Sequence, residues 1–91
     1  MIKIALLSTL ALTPANTAKA EQAARDWVST YLRGATIVTQ PNCESWDTND
    51  NGMVRCNLSY RDEQGTTPLS LECPSAWIFQ FTSECHTMRR Y

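Results

Sequence analysis

A short polar stretch that begins at Asp47 has oxygen-bearing side chains at the spacing of a calcium-binding loop. The six residues from Asp47 to Gly52 match the pattern D-x-D/N-x-D/N-G, in which the first, third and fifth residues supply ligands. The candidate ligands are therefore Asp47, Asn49 and Asn51. The twelfth position of the pattern, where a bidentate glutamate is required, is Leu58 in this chain. The stretch predicts either a weak calcium site or a polar turn, because Asn, Asp and Gly are also typical turn residues.

Three further residues are candidates for binding another molecule. Trp46 directly precedes the polar stretch, and an exposed tryptophan in such a place is a common anchor at protein interfaces. The alternative is that Trp46 covers a disulfide or one face of a hairpin, since aromatic residues in small domains are mostly core. Arg55 and Arg61 lie on the polar side of an alternating segment, so we include both in the candidate binding surface.

The N-terminus has the order of an export signal. Lys3 supplies a positive charge, an apolar run extends from Ile4 to Leu12, and Pro14 precedes the small-residue motif Ala18-Lys19-Ala20. This pattern predicts a signal peptide at residues 1–20, cleaved near Ala20, and a single domain at residues 21–91. The apolar run is too short to span a membrane. We therefore expect a secreted or periplasmic protein with no membrane span in its mature chain.

The helix and strands that position the candidate residues are predicted from two patterns of apolar residues, the helical spacing and the alternation of strands. Apolar residues at spacings of three and four predict an amphipathic helix over residues 21–33 that ends at Gly34. Alternating or β-branched runs predict strands at 35–40, 54–61, 69–73 and 77–82. The predicted fold is α+β, with an N-terminal helix packed on a three- to four-stranded antiparallel sheet. The predicted core comprises Trp27, Val28, Tyr31, Leu32, Leu58, Tyr60, Leu69, Leu71, Trp77, Phe79 and Phe81.

Four cysteines, Cys43, Cys56, Cys73 and Cys85, are separated by 12, 16 and 11 intervening residues. An even number in a short exported chain favours two disulfides, whereas zinc sites favour close C-x-x-C pairs. A two-residue turn at Gln64-Gly65 would place Cys56 opposite Cys73, which favours the pairs Cys56–Cys73 and Cys43–Cys85. Sequential pairing, Cys43–Cys56 with Cys73–Cys85, is the alternative.

The sequence does not contain a recognisable set of catalytic residues. His86 is the only histidine, and its neighbour Cys85 is expected to be oxidised. A thiol–imidazole pair requires a free thiolate, and no residue that would orient the imidazole can be named. We therefore expect a protein that is not an enzyme and that has no cofactor other than the calcium ion considered above.

The order of motifs between Cys43 and Cys85 resembles that of small exported bacterial proteins with four cysteines. The shared features are an acidic loop leading into a cysteine-containing strand (Asp50–Cys56), the turn Gln64-Gly65, the motif Leu71-Glu72-Cys73 and a last cysteine. The resemblance implies an exported domain with a disulfide frame and implies no particular function. The arrangement also resembles secreted cystatin-like inhibitors, but the chain has no Q-x-V-x-G loop, so inhibition is not implied.

Two functional hypotheses follow. The first is a non-catalytic module that binds another envelope or extracellular protein, and the second is a domain that binds calcium or a small ligand through Asp47–Asn51. Removal of the leader takes away Lys3 and Lys19 and leaves six arginines against nine acidic residues, a net charge of −3. Such a chain lacks the clustered positive charge that nucleic-acid binding requires.

Overall fold

The computed structural model describes residues 13–48, 51–77 and 84–88, which form a helix, a four-stranded antiparallel sheet and a two-stranded sheet. The α+β fold predicted from the sequence, a helix packed on an antiparallel sheet with two disulfides, is confirmed. The large sheet has the strand order β2-β4-β5-β6, and β1 pairs with β3. The elements in chain order are β1 (Thr13–Pro14), α1 (Thr17–Tyr31), β2 (Thr36–Cys43), β3 (Trp46–Asp47), β4 (Met53–Asp62), β5 (Gly65–Pro74) and β6 (His86–Thr87).

Helix α1 begins about one turn earlier than predicted, because Asn16 caps it. The Asn16 side chain accepts a hydrogen bond from the N–H of Lys19 at 3.2 Å, and such a cap stabilises a helix by about 1 kcal/mol. Ala20, Ala24 and Val28, each four residues after the last, are the buried residues of the helix. At the other end Gly34 has a φ of +88°, a left-handed conformation that stops the helix close to the predicted position.

The β4–β5 hairpin turns at Glu63-Gln64, one residue earlier than predicted. The carboxylate of Asp62 accepts a hydrogen bond from the N–H of Gln64 at 2.9 Å, which closes the turn. Gly65 then pairs with Asp62 and has a φ of +111°, which side chains rarely adopt. Cross-strand partners are consequently two residues away from the predicted ones. A shift of two residues keeps every side chain on its predicted face, so the apolar face is correct although the pairing is not.

The disulfides join Cys43 to Cys56 and Cys73 to Cys85. The favoured prediction, Cys56–Cys73 with Cys43–Cys85, is therefore wrong, and the sequential alternative is correct. The physical reason is the hairpin register, which leaves Cys73 opposite Val54. Cys56 instead faces Cys43 across β2 and β4.

Strand β2 extends beyond the predicted segment at 35–40 and includes Pro41. The strand lies at one end of the strand order, where a residue without an N–H group is tolerated. Its register with β4 shifts between Thr39 and Asn42, around the proline.

The core lies between α1 and the large sheet and contains small residues and all four half-cystines. Trp27, Leu32, Tyr60 and Leu69 pack against it partly buried, whereas Tyr31 and Trp77 are 53% and 66% exposed, so their predicted core positions are wrong. The predicted strand at 77–82, with Phe79 and Phe81, lies outside the described residues after Trp77. The buried apolar residues are Ala15, Ala20, Ala24, Val28, Cys43, Val54, Cys56, Leu58, Leu71, Cys73 and Cys85.

Across the three described ranges, no helix combines the length and the apolar character needed to cross a bilayer.

Candidate functional site

Asp47, the first residue of the polar stretch, is buried and holds the loop that follows it. It is only 4% exposed. Its Oδ1 accepts a hydrogen bond from the N–H of Asn51 at 3.3 Å, and its Oδ2 accepts one from the N–H of Gly52 at 2.7 Å. Gly52 has a φ of +79°, which turns the chain sharply toward β4. Asp47 thus fixes the loop by satisfying two backbone donors.

The calcium interpretation of this loop stays a prediction. Oδ1 of Asn51, a second candidate ligand, accepts a hydrogen bond from the N–H of Met53 at 3.0 Å. Asp47 and Asn51 therefore direct side-chain oxygens at backbone donors, an arrangement typical of a polar turn. Asn49 lies outside the described residues. Within the part of the chain that the structure describes, no three or more His, Cys, Asp and Glu side chains form a group able to hold a metal ion.

Two exposed tryptophans adjoin Pro14, and we call Trp46 and Trp77 the tryptophan corner. Trp46 is the register partner of Pro14 in the β1–β3 pair and is 48% exposed. Trp77 is 66% exposed, and its indole N–H donates a hydrogen bond to the carbonyl of Pro14 at 3.1 Å. Exposed aromatic surface of this kind is characteristic of sites that contact other molecules. Trp46 is therefore exposed rather than core, and its role as a binding anchor stays a prediction.

Each tryptophan ends a short segment that begins at a disulfide-bonded cysteine, and we call these two segments, residues 43–46 and 73–77, the arms. Trp46 follows Cys43 by three residues, and Trp77 follows Cys73 by four. Because the two cysteines belong to different disulfides, each arm has its own covalent attachment to the sheet. Both arms are therefore attached to the sheet next to a disulfide.

The two arms also bind the chain segment that precedes α1. The carbonyl of Ser45 accepts a hydrogen bond from the N–H of Ala15 at 2.9 Å, and the carbonyl of Ser75 accepts one from the N–H of Asn16 at 2.8 Å. Ser75 is 1% exposed, and its own N–H donates to the carbonyl of Gly52 at 2.8 Å. The Asp47 loop, the two arms and the N-terminal segment thus form one connected unit.

Trp77 and Pro14 are members of this unit that the sequence pattern misses. The alternation from Trp77 onward predicts a core strand, and Pro14 is assigned to the leader. A usable signal is the repeated order of cysteine, serine and tryptophan in residues 43–46 and 73–77. That repeat could have indicated two similar arms, although it could not have placed them side by side.

Arg55 and Arg61 both lie on the outward face of β4, but they do not form one site. Six residues of extended strand separate them by roughly 20 Å. Arg55 stands opposite Glu72 on β5, and Nε of Arg61 donates to Oγ1 of Thr66 at 3.4 Å. The structure therefore separates these two predicted binding residues from each other.

His86 pairs with a carboxylate rather than with a thiol. Its Nε2 lies 2.7 Å from Oε1 of Glu72, which is its register partner across β5 and β6. Cys85 is bonded to Cys73, so it offers no thiolate to the imidazole.

A separate hydrogen bond connects α1 to the C-terminal part of the chain. The hydroxyl of Tyr31 donates to Oε2 of Glu84 at 3.0 Å. This hydrogen bond, the negative charge of Glu84 and, last, desolvation raise the pKa of Tyr31 above its ordinary value of 10.0. The Trp27 and Tyr31 ring centroids are 5.1 Å apart, so this aromatic pair forms a second, distinct surface feature.

Comparison with protein-family models, with curated proteins and with solved structures found no match for this chain.

Proposed function

We propose that this chain is an exported, non-catalytic module that binds another protein of the cell envelope or the extracellular space through the tryptophan corner. The observation that carries the proposal is the exposure of Trp46 and Trp77, 48% and 66%, where both adjoin Pro14. Tryptophan is enriched among the few residues that dominate binding energy at protein interfaces. A pair of them on one corner supplies a large apolar contact area, and the indole N–H groups supply directional donors.

The attachment of the two arms supports this proposal. The arms start at Cys43 and Cys73, which are disulfide-bonded, and they contain or adjoin the buried residues Asp47 and Ser75. Association costs free energy for every loop and side chain that must be ordered. Because these arms are ordered before a partner arrives, more of the contact energy remains for affinity.

Export and charge limit the class of partner. Two disulfides are compatible with an extracellular or periplasmic protein, and the leader pattern at residues 1–20 favours the same compartments. After loss of the leader the chain would have no lysine and a net charge of −3. That charge opposes binding to nucleic acid or to anionic lipid, so a protein partner is favoured.

Crosslinking and pulldown from the exported fraction tests the proposal. The baits are the wild-type protein, the double variant Trp46→Ala/Trp77→Ala and the matched control Tyr31→Ala, which removes an aromatic residue that is 53% exposed elsewhere. We expect the wild type and the control to capture the same partner. The double variant should capture it at least about tenfold less well, the effect of 1.4 kcal/mol.

Arg55→Ala and Arg61→Ala complete this experiment because they probe the outward face of β4. If capture depends on the arginines and is unchanged in the tryptophan double variant, the proposed site is wrong.

A further inference from the structure

Residues 13–20, which we call the N-terminal segment, belong both to the leader pattern and to the folded domain. Strand β1 of this segment pairs with β3, and the carbonyl of Pro14 accepts the indole hydrogen bond of Trp77 at 3.1 Å. Near its end, Nζ of Lys19 donates to the carbonyl of Ala76 at 3.0 Å. Backbone hydrogen bonds from Ala15 to Ser45 and from Asn16 to Ser75 join the segment to both arms.

The segment ends in Ala18-Lys19-Ala20, the predicted cleavage motif. In the folded chain the bond between Ala20 and Glu21 lies inside α1, and Ala20 is 0% exposed. Peptidases act on accessible or locally unfolded chain, so this bond is protected in the folded helix and is cut most readily before α1 forms. Cleavage after Ala20 before folding would leave the processed chain without this segment, and the corner would then be uncovered.

We propose that the processed protein uses the uncovered corner to bind an extended segment of its partner, with a proline between small residues as in Thr13-Pro14-Ala15. This inference rests on the function proposed above and names the class of ligand. In the unprocessed chain the N-terminal segment occupies the same place and blocks it.

The contacts of the N-terminal segment define what this ligand must offer. The carbonyls of Ser45 and Ser75 accept backbone N–H groups, and the indole of Trp77 donates to a backbone carbonyl. Ala15 is only 8% exposed, so the adjoining space holds a side chain about the size of a methyl group. A proline beside Trp46 suits an aromatic surface and loses little conformational entropy on binding.

Titration of a synthetic peptide of residues 12–20 into the processed protein tests the inference. The protein is purified from the exported fraction, intact mass establishes whether it starts at Glu21, and circular dichroism with thiol titration shows that it is folded and oxidised. Tryptophan fluorescence then follows binding, because the peptide contains no tryptophan. We expect saturable binding to the processed protein and none to the unprocessed full chain with both disulfides formed.

The matched control is the same peptide methylated on the nitrogen of Ala15, which removes the donor to Ser45. We expect at least about tenfold weaker binding, as for other lost interface hydrogen bonds to a buried site. Equal affinity of the two peptides, no binding at millimolar peptide, equal binding to the unprocessed chain, or a mass that includes residues 13–20 would each overturn the inference. If the peptide fails while partner capture still requires Trp46 and Trp77, only the ligand class is wrong. If partner capture does not require Trp46 and Trp77, the proposed function itself is wrong.

Discussion

The β4–β5 hairpin and the tryptophan corner are held together in different ways. In the hairpin every residue from Met53 to Asp62 has a partner on β5, and polar side chains bond across the strands, as Ser70 Oγ does to Asn57 Oδ1 at 2.6 Å. In the corner, β1 and β3 have two residues each. The hydrogen bond from Trp77 to Pro14 joins residues 63 positions apart.

The comparison indicates that the hairpin mainly stabilises the domain, whereas the corner offers side chains for contact with a partner. A continuous ladder satisfies its backbone groups and buries one face of its side chains, so it stabilises the domain and offers a partner little unsatisfied surface. The two short arms leave Trp46 and Trp77 at the surface. Substitutions in the ladder should therefore change stability, and substitutions in the corner should change binding.

The largest effect is expected from loss of the Cys43–Cys56 disulfide, because it ties β2 to β4 and begins the Trp46 arm. In the variant Cys43→Ala/Cys56→Ala the free energy of unfolding should fall by about 3 kcal/mol, mainly through the freer unfolded chain. Urea unfolding followed by circular dichroism measures the change.

The variant Cys73→Ala/Cys85→Ala is the matched control, since the two bridges have sequence separations of 13 and 12. The loop-entropy contributions should then agree within about 0.1 kcal/mol, so a larger difference reports on the strands that each bridge joins. Isolation of a peptide pair linked through Cys56 and Cys73 under non-reducing conditions would contradict the description of the fold.

Replacing Asp47 should have the next largest effect, and it should act on the corner. Asp47→Ala leaves the N–H groups of Asn51 and Gly52 without their acceptor and should lower the free energy of unfolding by about 1–3 kcal/mol. The control Asp26→Ala removes an exposed helical carboxylate and should change stability by less than about 0.5 kcal/mol. Equal effects of the two substitutions in urea unfolding would show that Asp47 does not organise the loop.

Calcium should have a smaller effect or none, because Asp47 and Asn51 already direct oxygens at backbone donors. A site with a Kd of about 1 mM would stabilise the protein by about 1.4 kcal/mol in about 10 mM calcium. We expect the melting temperature to be the same in calcium and in chelator. An increase in calcium that magnesium does not reproduce would favour the calcium-binding hypothesis instead.

The smallest effect is expected at Tyr31, an exposed residue at the end of α1. Because its pKa is raised in the folded state, Tyr31 contributes stability that is present below pH 10.0 and is lost as pH rises through the raised pKa. Glu84→Gln should lower the pKa of Tyr31 toward 10.0, since the charge that opposes ionisation is removed. Ultraviolet absorbance of the phenolate measures the shift, Tyr31→Phe assigns it, and Glu63→Gln is the control. Identical titrations of wild type and Glu84→Gln would show that the hydrogen bond is absent in solution.

The parts of the fold that could be predicted are those that depend on local periodicity. The spacing of Ala24 and Val28 identifies the buried side of α1, and the alternation from Val54 to Arg61 identifies the faces of β4. The register could not be predicted, because the Asp62 side chain selects a turn one residue away from the expected glycine position. The disulfide prediction depends on this register, so the pair Cys56–Cys73 is wrong as well.

The candidate site could be predicted only in part. Trp46 is identified by the polar stretch beside it, whereas an aromatic run makes Trp77 look like a core residue. The cap at Asn16 is a local hydrogen bond to Lys19, but it lies in the segment that the export pattern assigns to the leader. The place of Pro14 depends on contacts with Trp46 and Trp77, more than thirty positions away. The periodicity of apolar residues gives no information on such long-range contacts, so the corner could be identified only from the three-dimensional structure.

The most direct test of the central claim is site-specific photo-crosslinking in the exported protein. A photo-reactive amino acid replaces Trp46 or Trp77, and in control proteins it replaces Tyr31 on α1 or Val38 on β2, which are 53% and 40% exposed. We predict that both tryptophan positions give the same crosslinked partner and that both control positions give none. Crosslinking of the same partner with equal yield at Tyr31 and Val38, or no crosslink at either tryptophan position, would contradict the account.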